Sequence, residues 1–386
     1  FRRPMRPPRC RGAAGAPRPS PVVLWAACCA CCASGGPEDS RGSEANSRFL
    51  IATFTKPPQV HYMHLSDPIW RPLVADGLKI PGAVCVDPVN MRLFVSDLQA
   101  SSVYWYQMRF LPGQRLIAQS PPRLAAGNVS ATGLDIDGVG SLYIAGKLLR
   151  PSDGSTMVRG ILKQDAIKLA TATASQAAEP IPLWTQANTD RVGDGRSPQL
   201  FEPSGVGVDK FSIFWGNHLR GLETGAVVRS SMAVPVTSPE EQVQPLANNV
   251  PSTSVVTGLA VTPASVFYSV EGANLTGGAI YGVSKGKSGI DCGGDGQLCP
   301  QIAALDAPTS MAWDGDATIY VASGGYAHGA IHSFASGAVT PHLLEKVTDA
   351  KGVSGLAVLS APVTSGSAAG GLWPPLLSAA AWGAVA

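Results

Sequence analysis

Apolar positions along most of this chain alternate with small or polar ones, in short runs that recur in a fixed order. A Gly or Ser opens a run of mostly apolar residues. A residue that is usually Asp closes it, and a second apolar run follows a few positions later. The phrase reads Gly82–Asp87 then Leu93–Asp97, Gly133–Asp137 then Leu142–Ala145, and Gly205–Asp209 then Ile213–Gly216. It continues as Gly258–Thr262 then Val266–Ser269, Ser310–Asp314 then Ile319–Ala322, and Gly355–Leu359 with no second run behind it. Alternation with period two, Val, Ile, Tyr, Phe and Trp in the runs, and Gly, Pro, Asn and Asp between them predict short β-strands joined by tight turns.

The phrase openings are separated by 51, 72, 53, 52 and 45 residues. Repeats of about 40–50 residues match a four-stranded propeller blade. The first run, small and apolar, suits a crowded inner strand; the second, richer in aromatics, suits the next strand out. An unmatched pair of runs, Phe49–Phe54 and Val60–Leu65, precedes the first phrase. It supplies the second and third strands of a blade whose inner strand is the unpaired Gly355–Leu359. The expectation is all-β: a six-bladed propeller over residues 48–360, five blades continuous and one composite, closed by both ends of the chain so that no sheet edge stays open. The spacing of 72 marks an insertion at 163–192, rich in Ala, Thr and Gln. It reads either as a helical turn or two around Ala166–Ala178 or as a surface loop.

Composition agrees with a turn-rich β protein: 43 Gly and 32 Pro in 386 residues, with 15% charged. The net charge of +2 is unevenly placed. Residues 1–47 carry seven Arg against three acids, leaving 22 basic and 24 acidic residues for the remainder. The predicted ring lacks the basic footprint of a nucleic-acid binder.

Both ends carry apolar stretches. With Met5 as a start, Arg6, Arg9, Arg11 and Arg18 precede the apolar Val22–Ala33 and the small Ser34-Gly35-Gly36. That is the order of a secretory signal over residues 1–36, followed by a linker at 37–47. A disordered basic tail and a palmitoylated Cys cluster are the competing readings. At the other end, 361–386, the small residues Ser365, Gly366 and Ser367 lead to a hydrophobic tail. The tail fits a glycolipid-anchor signal, a weak membrane segment or a disordered end. Sequons at Asn128 and Asn274 and a Gly-rich loop bracketed by Cys292 and Cys299, an expected local disulfide, fit an extracytoplasmic fate. Cys85, on a predicted inner strand, reads as a buried free thiol.

Pro81–Asp97, ending in Val103–Tyr106, resembles the blade phrase of low-density-lipoprotein-receptor YWTD propellers, with Phe94-Val-Ser-Asp97 in place of Tyr-Trp-Thr-Asp. Gly193-Asp-Gly195 with Leu200–Gly205, and Gly294-Asp-Gly296 with Leu305–Pro308, are similar to the loops entering NHL repeats. The chain thus resembles six-bladed rings of the NHL and YWTD types, within the TolB-like group. It departs from them where Gly146, Gly216, Val270 and Ser323 replace the final Asp. The resemblance implies a binding module. Because related rings include calcium-dependent lactonases and esterases, it also keeps a hydrolase in view.

The residues just after the second runs, Asp97, Asn217, His218 and Glu271, form a candidate binding rim. Under the hydrolase alternative they are oxygen ligands for Ca2+; otherwise no cofactor is expected. The repeated Asp87, Asp137, Asp209 and Asp314 read as turn-forming residues, because recurrence speaks for structure while an active site breaks symmetry. His328 and His332 are too far apart on a strand for one ion, and His61 and His64 face opposite sides. Gly282–Gly286 matches a nucleophile-elbow string but closes a β-run instead of opening a helix. The favoured expectation is a monomeric propeller, secreted or on the outer face of the plasma membrane. It would bind an unidentified protein or extracellular ligand on the face holding the second-strand ends and the loops at 193–196 and 291–299. A membrane is involved only through an anchor. An intracellular scaffold with disordered ends is the third reading.

Overall fold

The computed structural model describes residues 47–361, apart from 114, 151–153, 155–156, 190–199, 218–226, 234–242, 249–254, 272–276, 288–289, 292–298, 325–327 and 338. The expected leader (1–36), almost all of the 37–47 linker and almost all of the tail (361–386) lie outside the described residues.

The alternating runs form six antiparallel sheets of four principal strands each, arranged as a six-bladed β-propeller. Blades are numbered by their inner strands. The first holds Pro81–Asp87, Arg92–Asp97, Ser102–Leu111 and Arg123–Gly127, with an extra short strand, Arg115–Ala118, beside the third. The second holds Val129–Ile136, Leu142–Leu148, Val158–Gln164 and Ile181–Thr185. The third holds Pro203–Val208, Ser212–Asn217, Val227–Ser231 and Gln244–Asn248, and Ile290–Asp291 adds a short parallel strand at its edge. The fourth holds Val255–Val261, Ser265–Glu271, Gly278–Ser284 and Gln301–Ala304. The fifth holds Ser310–Trp313, Thr318–Ser323, Ala330–Ala335 and Glu345–Asp349.

The sixth blade is composite. Val353–Ala361 is its inner strand, followed outward by Ser47–Thr55, Pro58–His64 and Asp67–Val74. Phe49 pairs with Leu359 and Ile51 with Ala357, so the last described strand lies antiparallel to the first described one. Arg48 adds a side-chain clamp to the fifth blade, reaching Asp314 at 2.6 Å and Asp316 at 2.7 Å.

Period two explains how the ring packs. Successive side chains of a strand point to opposite faces, and each face meets a different neighbour. Phe49 and Ile51 pack with Val84 and Leu93 of the first blade. Leu50 and Ala52, one position over, pack with Tyr320 and Ile331 of the fifth. Among the described residues, the buried apolar side chains fall into six clusters, one at each blade junction. Each fully buried Leu, Ile or Phe contributes about 1.5–3 kcal/mol.

The 163–192 stretch is more regular than an inserted loop. It carries the end of one strand, a short helix at Ala166–Thr171 and the whole outer strand Ile181–Thr185. Leu169, Leu183 and Trp184 are buried, and the Trp184 ring stacks on Trp215 of the third blade with centroids 6.5 Å apart. The wide spacing comes from longer connections around that outer strand. Its short, irregular polar and Pro-containing surroundings masked it in the sequence.

Candidate functional site

The repeated aspartates share one local geometry. After each inner strand the chain reverses, and the carboxylate accepts two backbone N–H groups of the turn. Asp87 takes those of Val89 and Asn90, and Asp137 those of Val139 and Ser141. Asp209 takes Phe211 and Ser212, and Asp314 takes Asp316 and Thr318. Thr262 does the same work with its hydroxyl, accepting the Ser265 N–H at 3.1 Å. The second carboxylate oxygen is where the blades differ. Asn90 and Tyr143 donate to it within the blade, whereas Lys285 reaches Asp209 from the fourth blade and Arg48 reaches Asp314 from the sixth.

The proposed rim residues are also fastened. Asp97 is 1% exposed, and its carboxylate accepts four backbone N–H groups, from Lys79 (2.6 Å), Ile80 (3.2 Å), Gln99 (3.1 Å) and Ala100 (3.0 Å). Asn217, 3% exposed, accepts the Phe201 N–H at 3.0 Å. Both pin the loop that enters an inner strand. Glu271 ends the second strand of the fourth blade, paired with Val255 and Gly278. These three lie on different blades, and His218 is outside the described residues. Calcium needs about six to eight oxygen ligands. The Asp97 and Asn217 oxygens already face N–H donors, so this set does not fit a resident Ca2+. Among the described residues no group of three or more His, Cys, Asp or Glu is placed to hold a metal. His328 and His332 belong to no such group, and Ser284 ends a strand with no helix following it.

Near the axis a second polar repeat appears, one position before the Gly of the phrase. Thr132 donates to the Pro203 carbonyl (2.7 Å), Ser204 to Val256, Thr309 to Val353 (3.1 Å) and Ser354 to Pro81 (2.8 Å). Each bond joins one blade to the next. Pro81 holds this position in the first blade and has no donor to offer; Thr257 turns to Ser269 in its own blade. The Gly itself is required by close approach. A Cβ on Gly133 would lie 2.9 Å from the Gly205 Cα, and one on Gly258 3.0 Å from the Ser310 Cα.

The space on the axis is about 50 Å³ where the inner strands begin and about 440 Å³ where they turn into the second strands. The wider end is opposite the expected face. The loops at 193–196 and 291–299, expected on that face, fall almost wholly outside the described residues. The wide end is lined mainly by apolar side chains, with the Asp135 carboxylate and the Cys85 thiol among them. Asp135 accepts N–H from Val208 (2.7 Å) and Ile136 (2.9 Å). Desolvation within the ring lifts its pKa to about 6 against the pull of those two donors. The same surroundings, then Asp135 and Asp87, push the Cys85 thiol up, which keeps it protonated and unreactive.

A larger space, about 890 Å³, lies at the side of the ring between the outer part of the first blade and the Ala170–Ala174 segment of the second. Trp105, Gln107 and Arg109, on one face of the first blade's third strand, line it with Gln119 and Arg123. The guanidinium carbons of Arg92 and Arg123 each stand 5.0 Å from the Trp105 ring centroid. Trp105 is 4% exposed, and its indole N–H has no hydrogen-bond partner; neither has the buried Nε of Arg92. Desolvation and then the nearby Arg123 charge lower the Arg92 pKa, with Asp87 opposing them. The composition of 163–192 did not reveal this groove, because half of it comes from the first blade. An available signal was Arg109 and Arg123 on the blade's outer strands, which face Ile117 and Trp105 in place of acids.

Asn128, the first sequon residue, is exposed at the corner between two blades with φ of 58°. Cys299 is 2% exposed and disulfide-bonded; its expected partner Cys292 lies outside the described residues, as do Asn274 and Ser365, Gly366 and Ser367.

No family model matches the chain, and no curated protein matches it. Among solved structures it is similar to a chain of a nidogen–laminin complex, with 11% identity and a TM-score of 0.49 over 81% of this chain and 98% of that one. It is similar to a Lactobacillus plantarum protein, with 12% identity and a TM-score of 0.48 over 81% and 99%. It is also similar to a gluconolactonase from Xanthomonas campestris, with 14% identity and a TM-score of 0.47 over 81% and 95%.

Proposed function

We propose that this propeller is a non-catalytic binding module of the cell exterior, secreted or held at the outer membrane face, that recognises a protein or extracellular ligand. The observation that carries the reading is the distribution of satisfied polar groups. The repeated carboxylates and axial hydroxyls are bound to the ring's own backbone. At the lateral groove, by contrast, the exposed Arg109 and Arg123 are in no salt bridge among the described residues, and no acidic side chain lines the space. Cations grouped without an acidic neighbour favour an incoming anion. The disulfide at Cys299 and the exposed sequon at Asn128 support an oxidising, glycosylating compartment.

The reading is tested on the full chain produced in eukaryotic cells. A glycosidase should lower its mass, and Asn128→Gln should remove part of that shift. Adding calcium or a chelator should move the Tm by less than about 1 °C, because no ligand-linked stabilisation is available. Lactone substrates should not turn over. Calcium-dependent stabilisation together with lactone hydrolysis would replace this reading with the hydrolase.

A further inference from the structure

We propose that the lateral groove between the first and second blades binds a short, extended acidic segment of a protein partner, with Trp105 as its floor and Arg109 and Arg123 as its carboxylate-binding groups. The inference rests on the binding-module reading and names the site and the chemistry recognised there.

Arg109 and Arg123 line one space, Arg92 stands 5.0 Å from the ring of the Trp105 that also lines it, and no acidic side chain is among the lining. None of the three is in a salt bridge among the described residues, although most of the ring's other charges near one another are paired. The nearest acid, Asp87, has its oxygens occupied by Val89, Asn90 and the Asn90 side chain. Like charges held together beside a buried indole repel one another, so the arrangement gains from an incoming anion. Guanidinium and carboxylate match as planar, two-pronged partners, which gives direction as well as charge neutralisation.

The groove's size and remaining lining select the kind of anion. At about 890 Å³ it sits near the top of the ~300–1,000 Å³ range of small-ligand clefts, too large for one free phosphate. Gln107 spends its side-chain N–H groups on the Asn90 and Met91 carbonyls, which leaves its oxygen as an acceptor in the groove; Gln119 adds a second amide. Acceptors beside guanidinium donors suit a chain that offers N–H groups as well as carboxylates. A polysulfated sugar, dense in acceptor oxygens, fits them less well. Strand addition is closed off, because the Leu124 N–H of the outer strand already bonds to the Thr173 carbonyl at 2.8 Å. Recognition therefore runs through side chains, with the Trp105 ring holding the Arg123 guanidinium in place.

The test is fluorescence anisotropy on the full chain with a labelled peptide alternating Glu and Ala, against the same peptide with Gln for Glu. The Glu peptide should bind at least about tenfold tighter, with affinity falling as salt rises. Arg109→Gln and Arg123→Gln should each weaken it about tenfold, a difference of about 1.4 kcal/mol. Trp105→Phe should weaken it severalfold, and Arg71→Gln on the sixth blade should leave it unchanged. Arg109 and Arg123 are both exposed, so a loss of folding does not stand in for a loss of binding. Equal binding of the Glu and Gln peptides, full affinity in the Arg variants, or binding of a heparin oligosaccharide in place of the Glu peptide would each overturn the proposal. Such a failure leaves the non-catalytic reading standing on the calcium and lactone measurements; hydrolysis of a lactone removes that reading whatever the peptide does.

Discussion

The axis of the ring and the groove at its side handle polar groups in opposite ways. On the axis the same residue type returns blade after blade, and each copy is satisfied by backbone: Thr132 by Pro203, Ser354 by Pro81, Asp137 by Val139 and Ser141. In the groove, Arg109 and Arg123 come together with no acidic side chain in the lining. Repetition here serves closure of the ring. The proposed recognition falls where the repeat is broken, because a group repeated around the ring cannot distinguish one direction of approach from another.

Removing a satisfied group should cost most. Asp97→Ala strands four backbone N–H groups beneath the first blade's entry loop and should destabilise by about 3–4 kcal/mol in urea unfolding. Asp97→Asn, which keeps one acceptor oxygen, should recover part of that. A loss below about 1 kcal/mol for Asp97→Ala would show that the carboxylate is not a fastening and would blur the contrast between the two regions.

Crowding near the axis should come next. Gly133→Ala drives a methyl against the Gly205 backbone and should cost about 2 kcal/mol, while Gly138→Ala, with open space around it, should stay within about 0.5 kcal/mol. Both follow from the same unfolding curves.

A pH scan sharpens the axial side further. The folded-state pKa of Asp135, about 6, lies above the ordinary 3.8, so the native state binds this proton more tightly than the unfolded chain does. Its contribution is therefore most favourable below about pH 4 and is lost as pH rises through about 4–6. Asp209 works in the opposite sense. Burial resists its ionisation, but Lys285 and two backbone N–H groups hold its pKa below 3.8, so its contribution is lost only as pH falls below about 4. Asp135→Asn should flatten the Tm between about pH 4 and 6 and leave the acid limb unchanged.

The smallest effects belong to the groove. Arg109→Gln and Arg123→Gln should change stability by no more than about 0.5 kcal/mol, because neither side chain holds the fold together. A loss of about 2 kcal/mol from either would assign the guanidinium groups to structure and collapse the distinction.

Much of the ring was legible from residue order. The small-apolar and aromatic runs located the inner and second strands in every blade, and the unpaired runs at the two ends located the composite blade, because period-two alternation records burial on both faces. The outer strands were harder to see. Ile181–Thr185 is short and flanked by polar turns, and its place was set by Trp184 meeting Trp215 from another blade. The axial hydroxyls escaped notice because Ser and Thr also serve as ordinary turn residues. Asp97 looked available to a ligand because sequence shows a carboxylate without showing the amides folded around it.

Local pattern by itself determined strand, turn, blade number and closure, since these depend on alternation and spacing along the chain. Which polar groups are spent and which remain free was decided only by the tertiary structure. Satisfaction is a property of neighbours, and the neighbours of Asp97, Asp135, Arg92 and Trp105 include backbone and side chains brought in by the turning of the ring.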